Sequence, residues 1–257
     1  MTARALALYV GSASSGRGAP PPGLGDPADP TGAWLERLGR SLPDDERRGV
    51  VVVSSSFEAP RWTVTTSGDR GLARRVLEQL VGGGLPAATD DARAPAIEVE
   101  AAVARLAAAR PLPFVELSLH ASLDAEQHLG VGRLLEPLRD EGIVLLGLGG
   151  LTRAVPGAEP RTRAAREVTG TFDAWVVDLL TRSGPYARSR GLARFRDHPG
   201  AHRADPRGEH VLPLVVVAAT ATSDRSPDNV GELAHTTSPT TASEGARGGA
   251  LGLVFRR

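Results

Sequence analysis

A strand, helix, strand run between residues 114 and 148 constrains this chain more than any other feature. Phe114 to Leu119 and Ile143 to Leu148 are short apolar segments of strand length. Between them Asp124 stands where a helix N-cap would, with Gln127 three residues on as its capping-box partner. Leu129, Leu134, Leu135 and Leu138 fall on one side of the helix that follows, and Gly142 stops it. Two strands joined this way in 35 residues form a right-handed crossover with parallel strands. The tip beyond, Gly147 to Arg153, then lies at the carboxyl end of the sheet, where α/β folds place their sites.

The remaining segments extend that architecture. Ala5 to Val10 reads as a buried strand running into the Gly11–Gly16 loop, and Gly49 to Val53 as a strand buried on both faces that ends at Ser54-Ser55-Ser56-Phe57. Trp62 to Thr66 is β-prone. Helical spacing covers Trp34 to Leu42, residues 71–81, residues 97–109 and Arg163 to Arg182, the last with Val168, Phe172, Trp175, Val176, Leu179 and Leu180 inward. Residues 195–210 read as loop, Val211 to Ala219 as a strand on composition alone, 222–249 as a mobile Ser/Thr/Gly-rich loop, and Ala250 to Phe255 as a final strand. With no internal repeat and no linker, residues 1–257 form one α/β domain with a mainly parallel central sheet flanked by helices.

Composition removes whole classes of chemistry. All 30 basic residues are Arg; with no Lys there is no P-loop lysine, no Schiff-base lysine and no Ser–Lys dyad. The absence of Cys excludes disulfides, thiolate metal sites and a Cys nucleophile. Thirty acidic residues balance the arginines, and no basic cluster points to nucleic acid. No apolar run reaches the roughly 18–20 residues of a membrane span, and the amino-terminal apolar stretch is too short for a signal peptide, so the expectation is a cytoplasmic protein with no membrane partner. Gly147-Leu148-Gly149-Gly150 lacks the third glycine of a dinucleotide fingerprint, because position 152 is Thr152. Gly11 to Gly16 lacks the spacing of a nucleophile elbow.

The six histidines are His120, His128, His198, His202, His210 and His235. A mononuclear site needs two or three His, or two with a carboxylate. His198 and His202 are four apart, but Pro199 between them rules out a regular helix. His198, His202, Asp205 and His210 form one alternative metal set. The ordinary reading of His128 is a surface or helix–helix contact, and that of a lone His210 is a helix cap or a donor to a carbonyl.

Several segments, taken together, resemble one family. They are Val115-Glu116-Leu117-Ser118-Leu119-His120-Ala121-Ser122-Leu123-Asp124, His128-Leu129-Gly130, Leu138 to Gly147, Phe172-Asp173-Ala174-Trp175, and Pro206-Arg207-Gly208-Glu209-His210-Val211-Leu212-Pro213-Leu214. Their order and spacing resemble the catalytic chains of the class III extradiol ring-cleavage dioxygenases, in the small single-chain branch that includes the DOPA 4,5-dioxygenases. The likeness is most specific from residue 114 to 219.

This resemblance implies an α/β fold with a mainly parallel sheet, one non-heme Fe(II), or zinc in some members, at the strand ends, and dioxygen-dependent opening of a catechol ring. It also assigns positions. The family's metal histidines fall on Ser12 (or Gly11 if the register shifts by one), Ser56 and His210, and its acid–base histidines near Ile97 and on Arg153. Only His210 is a histidine. The helix that the family has at 211–219 replaces the strand that composition favours there. Serine hydroxyls are poor neutral-pH ligands, and an Arg about 5 Å from a dication costs several kcal/mol at an effective dielectric of about 20.

The leading expectation is therefore a pseudoenzyme that has lost iron and ring cleavage and carries no cofactor. Its pocket of Ser12, Ser56, Arg153, Glu209 and His210 takes a small polar or anionic ligand, or the chain pairs with a second copy or an active homologue. The alternative is an active extradiol dioxygenase using Fe(II) or Zn(II) on a rearranged site that includes His210, with His198, His202 or Asp205 as further ligands. A third expectation is a purely structural or regulatory partner with no ligand.

Overall fold

A computed structural model describes residues 7–11, 29–44, 47–151, 163–221, 232–236 and 251–255. Among these residues eight strands form one sheet: β1 (Ala7–Gly11), β2 (Gly49–Ala59), β3 (Trp62–Thr65), β4 (Ala87–Asp90), β5 (Phe114–His120), β6 (Ile143–Gly149), β7 (Glu232–Thr236) and β8 (Leu251–Phe255). Their order is β4-β3-β5-β2-β6-β1-β8-β7. The central four, β5, β2, β6 and β1, are parallel. Antiparallel β3 and β8 flank them, and β4 and β7 complete the two edges. β5 and β6 are parallel as the sequence pattern requires, with β2 inserted between them.

Helices α1 (Pro30–Ser41), α2 (Arg70–Gly82), α3 (Ile97–Leu106), α4 (Ala125–Asp140), α5 (Arg163–Arg182), α6 (Pro185–Ala193), α7 (Ala201–Ala204) and α8 (Leu212–Ala219) cover both faces. Short polar side chains start three of them. Asp29, Asp69 and Asp124 accept from the amides of Gly32, Leu72 and Gln127 at 2.7, 2.7 and 2.8 Å. The reciprocal half of the capping box at α4 is not formed, because Gln127 Oε1 accepts from Ser122 Oγ instead. Gly142, with φ of 80°, makes the left-handed turn from α4 into β6.

Strand alternation sorts the core into two layers. Ala7, Tyr9, Val51, Val53, Val115, Leu117 and Leu145 face the layer of α2, α4, α5 and α8. Leu8, Val10, Val50, Val52, Val144 and Leu146 face α1 and α3. Both faces of the central strands are covered, which is why they read as unbroken apolar runs. Fully buried Arg139 on α4 donates to the carbonyls of Thr220 and Phe255, both at 2.8 Å, and ties β8 to the end of α8.

Three local expectations change. β2 does not stop at Val53 but runs through Ser54-Ser55-Ser56 to Ala59, with a register shift against β5 between Val53 and Glu58. The hydroxyl of Ser54 finds a buried acceptor in Glu116 Oε1 at 2.8 Å, so polar residues are tolerated inside the strand. Residues 195–210 hold a 3-10 turn at Phe195–Asp197 as well as α7. β7 lies within the stretch 222–249 read as a loop, and the rest of that stretch falls outside the described residues.

α8 explains much of the packing. All eight of its residues are buried, including Val215, Val216 and Val217, whose β-branched side chains alone would favour a strand. Burial on every side overrides that preference. Glycines admit the helix at its closest approaches. A Cβ on Gly132 of α4 would lie 2.2 Å from the Val216 carbonyl oxygen. On Gly147 and Gly149 of β6 it would lie 2.8 Å from the Pro213 oxygen and 2.1 Å from the His210 oxygen. Gly147 and Gly149 of β6 therefore serve helix–sheet packing.

Gly130 and Gly132 sit on the same helix but differ in surroundings, since nothing lies within 4 Å of a Cβ at Gly130. Urea denaturation of Gly132→Ala should show a loss of about 1–3 kcal/mol from overpacking. Gly130→Ala should instead gain about 0.5–1 kcal/mol from helix propensity. Equal effects from the two would contradict this packing.

His128 is fully buried against Trp62, with ring centroids 4.9 Å apart. Its Nδ1 lies 2.6 Å from the Asp124 carbonyl oxygen and its Nε2 accepts from the His120 amide at 3.3 Å, so the neutral ring carries its proton on Nδ1. Burial, ahead of any charge, lowers its pKa from 6.5 to about 4. The stabilisation is complete above the unfolded value of about 6.5 and is lost as pH falls toward 4, a change of about 3 kcal/mol. In His128→Gln this contribution to the acid-side slope of unfolding free energy should vanish; an unchanged slope would assign it elsewhere.

Candidate metal centre

The carboxyl ends of β1 and β6 meet where Gly11 pairs with Gly149. Against this edge lies the turn from Asp205 to Val211, which leads from α7 into α8. The Gly150 amide donates to the His210 carbonyl at 3.0 Å and fixes the turn to the end of β6. Gly208 takes φ of 77° within it, a conformation that favours glycine. Arg196 donates to the carbonyl oxygens of Arg207 and Leu123 and holds the turn from outside.

Within that turn Asp205, Glu209 and His210 converge. Their ligand atoms all lie within 4.8 Å of one another. Asp205 is 3 % exposed and Glu209 6 %, while His210 is half-buried. Asp205 Oδ2 accepts from the amides of His210 and Val211 at 2.8 and 3.2 Å, which orients the carboxylate. Its other oxygen, Oδ1, is buried and has no hydrogen-bond partner.

Two carboxylates held this close in a dry setting oppose each other's ionisation. Burial first, and then the charge of Glu209, push the Asp205 pKa up to about 6, against hydrogen bonds that pull it down. Arg207 offsets part of the charge. It donates to Glu58 Oε2 at 2.7 Å and reaches Glu209 Oε1 at 3.9 Å, joining the turn to the end of β2. Fully buried Tyr9 on β1 ends in a hydroxyl with no hydrogen-bond partner. Burial first, then the charges of Asp205 and Asp173, raise its pKa well above 10, so the phenol stays neutral.

The structure brings some of the sequence-derived positions together and separates others. Glu209 and His210 come together, and Asp205 of the alternative set joins them. His198 and His202 do not join the cluster. His198 packs on Trp175 with ring centroids 5.2 Å apart, and His202 is exposed on α7. Ser56 belongs to a different group, with its Oγ 2.6 Å from Ser54 Oγ, which in turn donates to buried Glu116. Ile97 is 61 % exposed in the first turn of α3 and lines no polar site. Ser12 and Arg153 lie outside the described residues. Of the expected pocket of Ser12, Ser56, Arg153, Glu209 and His210, the structure describes Ser56, Glu209 and His210 and brings together only Glu209 and His210, with Ser56 tied into the Ser54–Glu116 group.

Sequence reasoning missed Tyr9 and the buried Ser54–Glu116 pair. The signal for each was a polar-tipped residue inside an apolar strand.

The fold and this cluster define an α/β protein with a charged site at the carboxyl edge of a parallel sheet, the position where such folds bind ligands. Its fold matches the crystal structure of the uncharacterized protein JW3007 from Escherichia coli K12, with a TM-score of 0.74 and 24% identity over 98% of this chain and 100% of that one. In sequence it is 31% identical over 146 residues to the 4,5-DOPA dioxygenase extradiol of Portulaca grandiflora, 56% of this chain and 53% of that protein. It is 34% identical over 107 residues to the Escherichia coli K12 4,5-DOPA dioxygenase extradiol, 41% of this chain and 39% of that protein. The chain thus spans about half the length, or less, of the curated relatives it matches. No family model matches it. These partial matches support a relationship to the class III extradiol dioxygenases. Among the described residues no helix is long and apolar enough to cross a membrane.

Asp205→Asn keeps an oxygen for the His210 and Val211 amides and removes the buried charge. The folded-state pKa lies above the ordinary 3.8, so ionisation destabilises the metal-free protein as pH rises from about 3.8 through about 6. Metal-free Asp205→Asn should therefore unfold at higher urea than the parent at pH 7.5, with the difference shrinking toward pH 4. Equal midpoints at pH 7.5 would contradict the strained carboxylate pair.

Proposed function

We propose that this extradiol dioxygenase-like protein holds a divalent cation on Asp205, Glu209 and His210, a rearranged one-histidine, two-carboxylate set, and acts there on catechol-type aromatics. The observation that carries the reading is the convergence of these three side chains, with the buried Asp205 Oδ1 left without a partner. A cation supplies what that oxygen lacks and relieves the opposition between the two carboxylates. One imidazole and two hard oxygens suit Fe(II), Mn(II) or Zn(II). Bound there, such an ion would offer open positions to the two oxygens of a catechol and to dioxygen.

This chain's own residues have separate tasks in that reading. The His210 and Val211 amides fix Asp205 Oδ2 and so aim Oδ1. Arg207 limits the negative charge without entering the cluster, its nearest approach to Glu209 being 3.9 Å. Because a cation displaces the proton that Asp205 holds below about pH 6, its affinity should rise with pH through that value.

A second reading follows from the hydroxyl group at Ser56. Its engagement with Ser54, whose hydroxyl donates to Glu116, fits a chain that has given up the family's iron ligands and binds a small polar or anionic ligand, or a partner copy, without metal. Protein purified anaerobically, loaded with Fe(II) or Zn(II) and dialysed separates the two. The proposal expects about one metal per chain, lost in His210→Ala and Asp205→Asn, and oxygen uptake with catechols by the iron form. Metal without oxygen uptake would leave the cation site and remove the ring-cleaving activity. No retained metal would favour the second reading.

A further inference from the structure

A groove of about 490 Å³ opens between α5, α6 and the 3-10 turn, away from the cluster of Asp205, Glu209 and His210, none of which lines it. Its size is that of a small-molecule site. One wall is aromatic. Phe172 stacks on Trp175 at 28°, and Trp175 lies at 30° to His198, while Phe172 and His198 are tilted by 55°. Trp175 and His198 border the groove, and Tyr186 stands at its rim with 79 % of its surface exposed.

Two arginines also line the groove. Arg190 and Arg194 lie four residues apart where α6 ends, on one face of the chain. Neither guanidinium has an ion pair or hydrogen bond among the described residues, whereas Arg75, Arg105 and Arg207 all hold carboxylates. The groove also holds one carboxylate, Asp197, so its lining keeps a surplus of positive charge. His198 Nδ1 accepts from the Gly200 amide at 3.0 Å, which leaves the proton of the neutral ring on Nε2. Gly191 builds the floor. A Cβ there would lie 2.6 and 2.7 Å from the methyl groups of Leu179, so the missing side chain lets α6 close on α5.

We propose that this groove binds a planar aromatic carboxylate, its ring laid against Trp175 and Tyr186 and its carboxylate met by Arg190 and Arg194. Stacking on the aromatic wall rewards a flat apolar ring, and a pair of guanidiniums matches a carboxylate's two oxygens. Neither an uncharged ring nor a small inorganic anion engages both the aromatic rings and the guanidiniums. The site is independent of the metal reading and stands or falls without it.

Isothermal titration of the full chain with 2-naphthoate and with the uncharged 2-naphthamide tests this. Saturable binding of naphthoate at one per chain is expected, with the amide weaker by about tenfold or more. Arg190→Gln/Arg194→Gln should lose about tenfold in naphthoate affinity, and Tyr186→Ser about threefold, without change in the thermal midpoint, since these side chains lie at the groove's rim. Zn(II) should leave the affinity unchanged. Equal binding of naphthoate and naphthamide, full affinity in the double arginine variant, or no saturation by about 10 mM would overturn the assignment. Binding that appears only with Zn(II) would place the carboxylate on the metal and overturn it as well.

Discussion

The seating of α8 against the sheet is the interaction on which the rest depends. Its eight residues are buried on every side, and its three consecutive valines adopt a helix against their own preference for a strand. The helix exists because β6 and α4 present glycines at the points where backbone meets backbone. Gly132, Gly147 and Gly149 have no side chain to spare, since a Cβ at each would fall 2.2, 2.8 and 2.1 Å from a carbonyl oxygen of α8 or the turn before it. This close contact also fixes where α8 begins. Its first turn abuts the carboxyl ends of β1 and β6, so the preceding Asp205–Val211 turn has one place to lie. Packing that looks purely structural thereby sets the position of the charged cluster.

Electrostatics then gives that position its chemistry. Backbone amides that orient one oxygen of Asp205 leave the other buried and unmatched, beside Glu209. Burial and the neighbouring charge of Glu209 penalise ionised Asp205, whose buried Oδ1 has no hydrogen-bond partner. Arg207 pairs closely with Glu58 at 2.7 Å and reaches Glu209 of the cluster only at 3.9 Å. The neutral Tyr9 phenol closes the inner side without supplying charge. An arrangement that is costly when empty and relieved by a cation is the physical basis for reading the turn as a metal centre.

Much of the scaffold was legible in the sequence because its signals are local. The Asp124 cap, the leucine spacing of α4 and the apolar runs of β5 and β6 each depend on near neighbours, and all appear in the structure. The insertion of β2 between β5 and β6 was not legible, since strand order is set by long-range packing. β2 ran past Val53 because Glu116, 62 residues from Ser54, receives that hydroxyl. For α8, composition pointed to a strand and only the family likeness pointed to a helix. At the site, the likeness directed attention to serine and arginine positions distributed along the chain. Asp205, Glu209 and His210 are near neighbours in sequence, but their convergence depends on the left-handed turn at Gly208, which composition does not announce.

Anomalous diffraction from crystals grown with Zn(II) tests the central claim most directly. The account predicts one strong peak about 2.0–2.2 Å from Asp205 Oδ1, a Glu209 oxygen and a His210 ring nitrogen. A Zn(II) peak held by other side chains, or an Asp205–Glu209–His210 cluster without a peak at saturating metal, would contradict it.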